Sequence, residues 1–376
     1  MALNRAEQEL YDSTRVLCRE QLIAIAHRGQ PGRVNREVVK AMGDAGLIAH
    51  LFPSSIGGVH DDEVSAIDLC IIREALACED AEVETALALQ GLGSYPILQS
   101  GRAAVVERWM PGVCRGEVVP AFAMSEPDAG SDAAAMNLTA TRVDGGYRLT
   151  GVKLWISNAP DADVYSVFAR TTPGAGSKGV TAFCVAGDAD GLSGEALEMI
   201  SPHPIGRLDF DGVFVADDGV LGEVDGGFKV AMRTLDLFRP SVGAFAVGMA
   251  EAALELAIEW AGTREAFGGK LRDLQAIAHK LADMAVATQA ARLMVHEAAR
   301  TYDTRSPNVT MASSMAKLFA TETAQRVVDD AVQIHGARAL QRGHRLEALY
   351  RDVRAPRIYE GATEVQRTII ARQLYR

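Results

Sequence analysis

Leu138-Thr-Ala-Thr-Arg-Val-Asp-Gly-Gly-Tyr-Arg-Leu-Thr-Gly-Val152 is the stretch on which the fold turns. Two β-type runs, Leu138 to Val143 and Tyr147 to Val152, flank Asp144-Gly145-Gly146. A short Asp/Gly turn between such runs predicts a β-hairpin, because glycine supplies the positive φ that tight turns demand. Outward from this hairpin the β texture continues through Val164 to Phe168 and Val180 to Val185, and covers Val118 to about Val224. Before Gly116 the apolar residues recur at helical spacing over Ala6 to Ala26, Arg36 to Leu47 and Glu63 to Leu76, with Pro53 and Gly57-Gly58 in the connections. From Phe228 onward long helices return. Leu274, Ile277, Leu281, Met284, Ala291 and Val295 form one apolar stripe, and Ser306-Pro307 opens the next helix as N-cap and first helical residue. A helix from Val242 to Glu259 is rich in Gly and Ala, which lets neighbours approach its backbone. The fold class is therefore α+β multidomain: an N-terminal helical domain over residues 1–116, a middle β-barrel or sheet domain over 117–226 and a C-terminal helical bundle over 227–376. The order lacks βαβ alternation, and no Gly-x-Gly-x-x-Gly or Walker sequence follows a strand, so a doubly wound nucleotide fold is excluded.

With 376 residues, 48% of them hydrophobic and 23% charged, and a mean hydropathy of +0.04, the composition is that of a folded protein with more than one core. The net charge of −11 and pI near 5.3 disfavour nucleic acid as a partner, since affinity for phosphates needs clustered Lys and Arg. No run approaches the roughly 18 apolar residues a membrane span requires; Ser241 to Ala250 stops at Glu251. Arg5, Glu7, Glu9, Arg15 and Arg19 interrupt the N-terminus where a signal peptide would be apolar, so the expected location is the cytoplasm. The five cysteines, Cys18, Cys70, Cys78, Cys114 and Cys184, are scattered without a Cys-x-x-Cys pair, which predicts reduced structural thiols and no metal site.

The segment Phe122-Ala-Met-Ser-Glu-Pro-Asp-Ala-Gly-Ser-Asp132 combines small residues, hydroxyls and exposed amides. Such a loop can bind a flat heteroaromatic ring with an anionic tail, although a segment of this kind read by itself is more often an ordinary polar turn. Downstream lie Lys153-Leu-Trp-Ile-Ser-Asn158, Thr263-Arg-Glu-Ala-Phe-Gly-Gly-Lys270 with Leu274-Gln275, Gln333-Ile-His-Gly336, and Arg357-Ile-Tyr-Glu-Gly-Ala-Thr-Glu-Val-Gln-Arg367. In this order and spacing the segments resemble the acyl-CoA dehydrogenase family over essentially the whole chain. Ser-Glu-Pro-x-Ala-Gly-Ser-Asp and Ile-Tyr-Glu-Gly are the specific signatures. That resemblance implies a C-terminal four-helix bundle, noncovalent FAD and α,β-dehydrogenation of an acyl thioester.

Residue by residue, the resemblance places Phe122, Met124, Ser125, Gly130 and Ser131 along the flavin ring and pyrophosphate, with Ser131 also facing substrate. It has Trp155 and Ser157 cover the flavin near its reactive nitrogen; read alone, Trp155 is a core aromatic. Arg264, Phe267, Gln275 and Gln333 match positions that reach the FAD of a neighbouring subunit, so a homo-oligomer, a tetramer, is implied. Gly336, Ala337, Ala362 and Glu364 complete the implied cofactor contacts, although Gly336-Ala337-Arg338-Ala339 departs from the family's Gly-Gly-x-Gly. Asp236 and Arg239 match residues on the coenzyme A portion, and Phe238, Tyr359 and Gly361 match residues around the acyl group.

Glu360 is the implied base for the α-proton, with its own backbone N–H polarising the thioester carbonyl; alone it reads as a charge complementing a helix from Ala362 to Leu374. Some family members carry the base one residue before the Arg of an Asp-x-x-Arg segment. Phe238 stands there and cannot accept a proton; its bulk suggests a short, branched or cyclic acyl group. Retention of Asp236 and Arg239 favours acyl-CoA over a carrier-protein thioester, and electron-transfer flavoprotein is the implied acceptor, against oxygen in an oxidase on the same scaffold. A colourless scaffold without chemistry is the remaining alternative.

Overall fold

The computed structural model describes residues 3–61 and 64–375. In chain order its helices are α1 (Arg5–Leu17), α2 (Ile23–Ala26), α3 (Arg36–Asp44), α4 (Ala66–Glu79), α5 (Ala81–Ser100), α6 (Ala103–Cys114), α7 (Gly227–Thr263), α8 (Gln275–Asp303), α9 (Val309–His335), α10 (Arg345–Asp352) and α11 (Thr363–Gln373). Its strands are β1 (Pro120–Ala123), β2 (Thr139–Val143), β3 (Gly146–Ser157), β4 (Val164–Arg170), β5 (Val180–Ala186), β6 (Leu192–Ala196), β7 (Ile205–Ala216), β8 (Val220–Leu221), β9 (Glu265–Ala266) and β10 (Gly269–Lys270). The helix expected from Glu63 runs as α4; Glu63 itself lies outside the described residues. The chain packs as two compact units, one of Leu22–Ser65 with Thr85–Leu235, the other of Met1–Gln21, Ala66–Glu84 and Asp236–Arg376.

The first unit is built on a sheet of order β6-β7-β3-β2-β4-β5-β8, with β1 added in parallel beside β4. The Asp144-Gly145 turn joins β2 to β3 as the sequence predicts: Val143 pairs with Gly146, and Gly145 takes φ +71°. Alternate residues of these strands, among them Leu149, Tyr165, Val167, Phe183, Leu208 and Val213, form its apolar core. Each fully buried Phe or Leu contributes about 1.5–3 kcal/mol. α5 lies close against β1 at Gly93, where a Cβ would meet the backbone of Pro120 and Ala121. There the buried Ser166 hydroxyl donates to the Gly93 carbonyl at 2.7 Å.

The pairing of β3 with β7 is irregular at two points, between Leu149 and Thr150 and between Lys153 and Ile156. Lys153 pairs with Leu208 of β7, and Ile156 with Gly206, so β3 holds one more residue than its partner between these points. Such a bulge reverses which face the next side chain meets. Trp155 sits in it at φ +56° and is 48% exposed, so its core-aromatic reading does not hold.

In the helical unit the stripe read on α8 is the buried one: Met284, Thr288, Ala291 and Val295 are inside, while Leu274, Ile277 and Leu281 are half-buried. α4 is enclosed on almost all sides and brings charge inward. Its Glu74 accepts from Arg292 Nε (2.6 Å) and pairs with His296 (3.1 Å), both on α8, and Arg292 also reaches Glu251 of α7 (2.8 Å). At Gly248 of α7 an added Cβ would strike the Glu74 carbonyl, so the small residues in this helix do permit close backbone approach.

Three sequence expectations are corrected. α7 starts at Gly227 rather than Val242 and runs through Pro240; the proline removes the donor for the Asp236 carbonyl, which accepts instead from Ser313 Oγ of α9 at 3.3 Å. α9 starts at Val309 with Asn308 as its N-cap, after Ser306-Pro307; the Ser306 hydroxyl accepts from the Asn308 amide and the Ser306 carbonyl from the Val309 amide. The third concerns membranes, because α7 is, by length and mean hydropathy, apolar enough to span one despite Glu251. Of its most apolar window 78% is buried inside the protein.

Candidate active site

The sheet unit holds Phe122, Met124, Ser125, Gly130, Ser131, Trp155 and Ser157. Phe122, in β1, packs on Phe168 with ring centroids 4.9 Å apart. The chain then leaves the sheet, and the Ser125 carbonyl accepts from the Leu154 amide (3.0 Å), joining the loop to β3 beside Trp155. A buried ion pair fixes this junction. Lys153 Nζ donates to the Met124 carbonyl and to Glu126, each at 2.8 Å, and Glu126 also accepts from the amides of Asn137 (2.5 Å) and Leu138 (2.9 Å). Burial, opposed by Glu126, brings Lys153 down to about 8. Gly130 and Ser131 are exposed, and a Cβ on Gly130 would meet nothing within 4 Å. Ser157 Oγ lies 2.8 Å from His203 Nε2, and burial lowers His203 to about 4, so this imidazole stays neutral. Exposed hydroxyls and amides next to an outward-turned indole are a donor set that fits a flavin ring and its phosphates.

The helical unit holds the other predicted residues. Glu360 occupies the turn before α11 at φ +50°, a region that costs a non-glycine residue about 1–3 kcal/mol. The turn is held from two sides: Lys317 Nζ of α9 donates to the carbonyls of Tyr359 (2.9 Å) and Gly361 (2.7 Å), and Gln366 Nε2 of α11 to those of Glu360 (3.3 Å) and Gly361 (3.0 Å). Glu360 Oε2 is sealed from solvent without a hydrogen-bond partner. Burial raises its proton affinity; Arg73, Lys317 and Arg239 pull the other way and do not cancel the burial. The acidic residue in the first turn of α11 is Glu364, so the helix does not need Glu360 as its complementing charge.

Around it the cations are themselves tied down. Arg73 is buried against Glu84 and donates to Ser241 Oγ at 2.6 Å, and that hydroxyl donates to the Phe238 carbonyl at 2.8 Å. Asp236 and Arg239 do form an i, i+3 pair at 3.0 Å, but not a surface one: Arg239 is 5% exposed and its Nε lacks a partner. Burial, partly offset by Asp236, holds the Arg239 guanidinium below its ordinary range. Phe238 is buried beside them. Burial also lifts the Tyr359 phenol well above its usual range, so it stays protonated.

A separate cluster gathers at the end of α7. Trp260 stacks on His335 at 5.4 Å, His335 meets His344 edge-on at 5.5 Å, and Arg264 and Arg338 lie 5.9 and 5.1 Å from the Trp260 ring centre. Phe267, at the tip of the β9–β10 hairpin, is 92% exposed at φ +54°. Gln275, Gln333 and Ala337 are exposed as well. Gly336 takes φ +66°, whereas Ala337 and Ala339 follow in a 3-10 turn with negative φ, so alanine at these positions creates no backbone conflict. Arg73, Lys317, His203 and Gln366 escaped the sequence reading. A signal existed for Lys317: with Ser313, Ala320 and Ala324 it lies on one helical face whose other members are small, the mark of a buried stripe.

Three family models match the chain: acyl-CoA dehydrogenase N-terminal domain over residues 4–117, middle domain over 121–213 and C-terminal domain over 225–375. Cyclohexane-1-carbonyl-CoA dehydrogenase of Geobacter metallireducens is 34% identical over 367 residues, 96% of each chain. The caffeyl-CoA reductase-Etf complex subunit CarC of Acetobacterium woodii is 35% identical over 352 residues, 92% of this chain and 91% of that one. The structure of butyryl-CoA dehydrogenase from Megasphaera elsdenii superposes with a TM-score of 0.94 at 33% identity, covering 100% of both chains. The same three-part architecture is therefore found across the full length of known enzymes, and with the flavin-compatible loop and the buried carboxyl in place, this chain belongs to the acyl-CoA dehydrogenase family of FAD-dependent oxidoreductases.

Proposed function

We propose that the protein dehydrogenates an acyl-CoA with a short, branched or cyclic acyl group across its α,β bond, with Glu360 as the base. The observation that carries this reading is half-buried Glu360: its Oε2 is sealed from solvent and unpartnered, and burial raises its proton affinity although three cations act on it. A thioester α-proton is weakly acidic, and a desolvated carboxylate of raised basicity is the group suited to remove it. The Glu360 backbone N–H polarises the thioester carbonyl. FAD, when bound, would supply the acceptor for the β-hydride, and Glu360 takes the α-proton. On the sheet unit, Phe122, Met124, Ser125, Gly130, Ser131, Trp155 and Ser157 would hold the cofactor. Arg264, Phe267, Gln275 and Gln333 would serve the FAD of a neighbouring subunit, and Gly336, Ala337, Ala362 and Glu364 would complete the cofactor contacts. Asp236, Phe238, Arg239, Tyr359 and Gly361 would surround the thioester.

The substrate class rests on buried Phe238 and on likeness to dehydrogenases of cyclohexane-1-carbonyl-CoA and butyryl-CoA. Likeness to an Etf complex subunit supports electron-transfer flavoprotein as the acceptor. Glu360→Gln tests the mechanism. It keeps size and hydrogen bonding, should leave FAD bound, and should slow anaerobic flavin bleaching by about 100-fold to 10,000-fold. Bleaching at parental speed would remove Glu360 from the mechanism.

A further inference from the structure

We infer that Lys317 is the positioning residue of the Glu360 base, clamping the two carbonyls that flank it and setting, through its charge, the pH at which the carboxylate becomes available. This rests on the reading of Glu360 as base. Three observations carry it. Lys317 is wholly buried in the middle of α9, and among the described residues no carboxylate comes within ion-pair distance of its ammonium. A buried cation without an ion-pair partner is a costly residue where methionine would pack as well. Both of its hydrogen bonds go to main-chain carbonyls, of Tyr359 and Gly361, so they fix the course of the backbone around Glu360 whatever the neighbouring side chains are. The residue so bracketed is held at φ +50°, a conformation that a non-glycine residue keeps only where surrounding bonds impose it.

Its charge also faces the carboxyl. The groups around Glu360 are Arg73 of α4, Arg239 of α7, Lys317 of α9 and the Tyr359 phenol, and those around Lys317 are Glu360, Arg239 and Glu322. Arg73 is committed to Glu84 and Arg239 to Asp236, which leaves Lys317 as the cation whose bonds are to the turn itself. Removing it takes away an attraction for the carboxylate, and so moves the ionisation of Glu360 to higher pH.

The test uses FAD-loaded enzyme and four variants: Lys317→Met, Lys317→Arg, Glu360→Gln, and Lys317→Met combined with Glu360→Gln. Hydrogen exchange of the 358–364 backbone, read without substrate, should quicken about tenfold or more in Lys317→Met. The limiting rate of anaerobic flavin reduction should fall in Lys317→Met far more than KM rises, with its pH midpoint moved up by about one unit or more. Lys317→Arg, which keeps the charge, should hold the midpoint near that of the parent. In the double variant the exchange should still be fast, while Lys317→Met adds no further pH shift. If Lys317→Met does not fold, Lys317→Gln carries the same measurements. An uncharged variant that exchanges and titrates like the parent overturns the clamp, whatever Glu360→Gln does. Fast exchange in Lys317→Met together with parental bleaching in Glu360→Gln overturns instead the assignment of the base.

Discussion

Glu360 stands where a carboxyl is uncomfortable, on left-handed backbone and with Oε2 shut off from water, and the two costs have different consequences. The backbone strain is unchanged by any side chain but glycine, asparagine or aspartate. The burial acts on charge. A carboxyl whose folded pKa is raised favours the fold below its unfolded value near 4.5, and that contribution is lost as pH rises through the raised value. The working enzyme therefore carries an ionisation that opposes folding, and Glu360→Gln should melt no lower than the parent at neutral pH while losing its activity. Phe238 presents a simpler case. Its ring is buried in α7 next to Arg239, and it takes the place of the alternative base. Truncation to Ala should raise kcat/KM for long acyl thioesters relative to short ones, by about tenfold or more for each methylene admitted. An unchanged ratio across a chain-length series would show that the ring does not bound the acyl group.

Among the elements, β3 depends most on a pair that no pattern announces. Lys153 and Glu126 are buried together, and their bonds tie the segment following β1 to β3 and to the approach to β2. Breaking such a pair by removing one partner costs about 3–5 kcal/mol, because the other charge is stranded. Lys153→Met should lower the urea midpoint accordingly and weaken FAD binding, since Met124 and Ser125 lose their anchor; retention of both would show that the pair is dispensable. The β2–β3 turn was legible because Asp144-Gly145 encodes its own backbone, and the α8 stripe because periodicity encodes burial. Lys153 reaches Glu126 across 27 residues and Lys317 reaches Tyr359 across 42, distances at which spacing carries no signal. The start of α7 was hidden by Pro240, whose effect is cancelled by a hydroxyl on α9 that only the folded chain supplies. The motif residues themselves were legible as a set, but the conformation of Glu360, the bulge at Trp155 and the neutral His203 were not.

For the whole molecule, the helical unit exposes apolar side chains that the chain alone leaves uncovered: Ile258, Phe267, Val286, Leu293 and Leu340 are 40% to 92% exposed. We propose that further copies of the chain cover some of them in a tetramer, and that Arg264, beside Trp260, then serves a neighbour's FAD. Arg264→Ala should lower FAD occupancy, read from the ratio of flavin to protein absorbance, and shift the assembly seen by light scattering. A monomer retaining full FAD would contradict a shared site. At acid pH, neutral His203 sets a limit on stability: with its folded pKa depressed from 6.5 to about 4, protonation of the unfolded chain withdraws stability as pH falls through that interval. His203→Asn should flatten this part of the pH-stability curve.

The extra residue in β3 also has an optical consequence. Only three tryptophans are present, Trp109, Trp155 and Trp260, and the bulge turns Trp155 outward among residues proposed to hold the flavin. An indole so exposed emits at long wavelength, where flavins absorb, and a flavin close by would drain its excited state. In apoprotein carrying Trp109→Phe and Trp260→Phe, emission should therefore fall in proportion as FAD is added, giving a binding isotherm that needs neither substrate nor turnover. Persistent emission at saturating FAD would place the indole away from the ring.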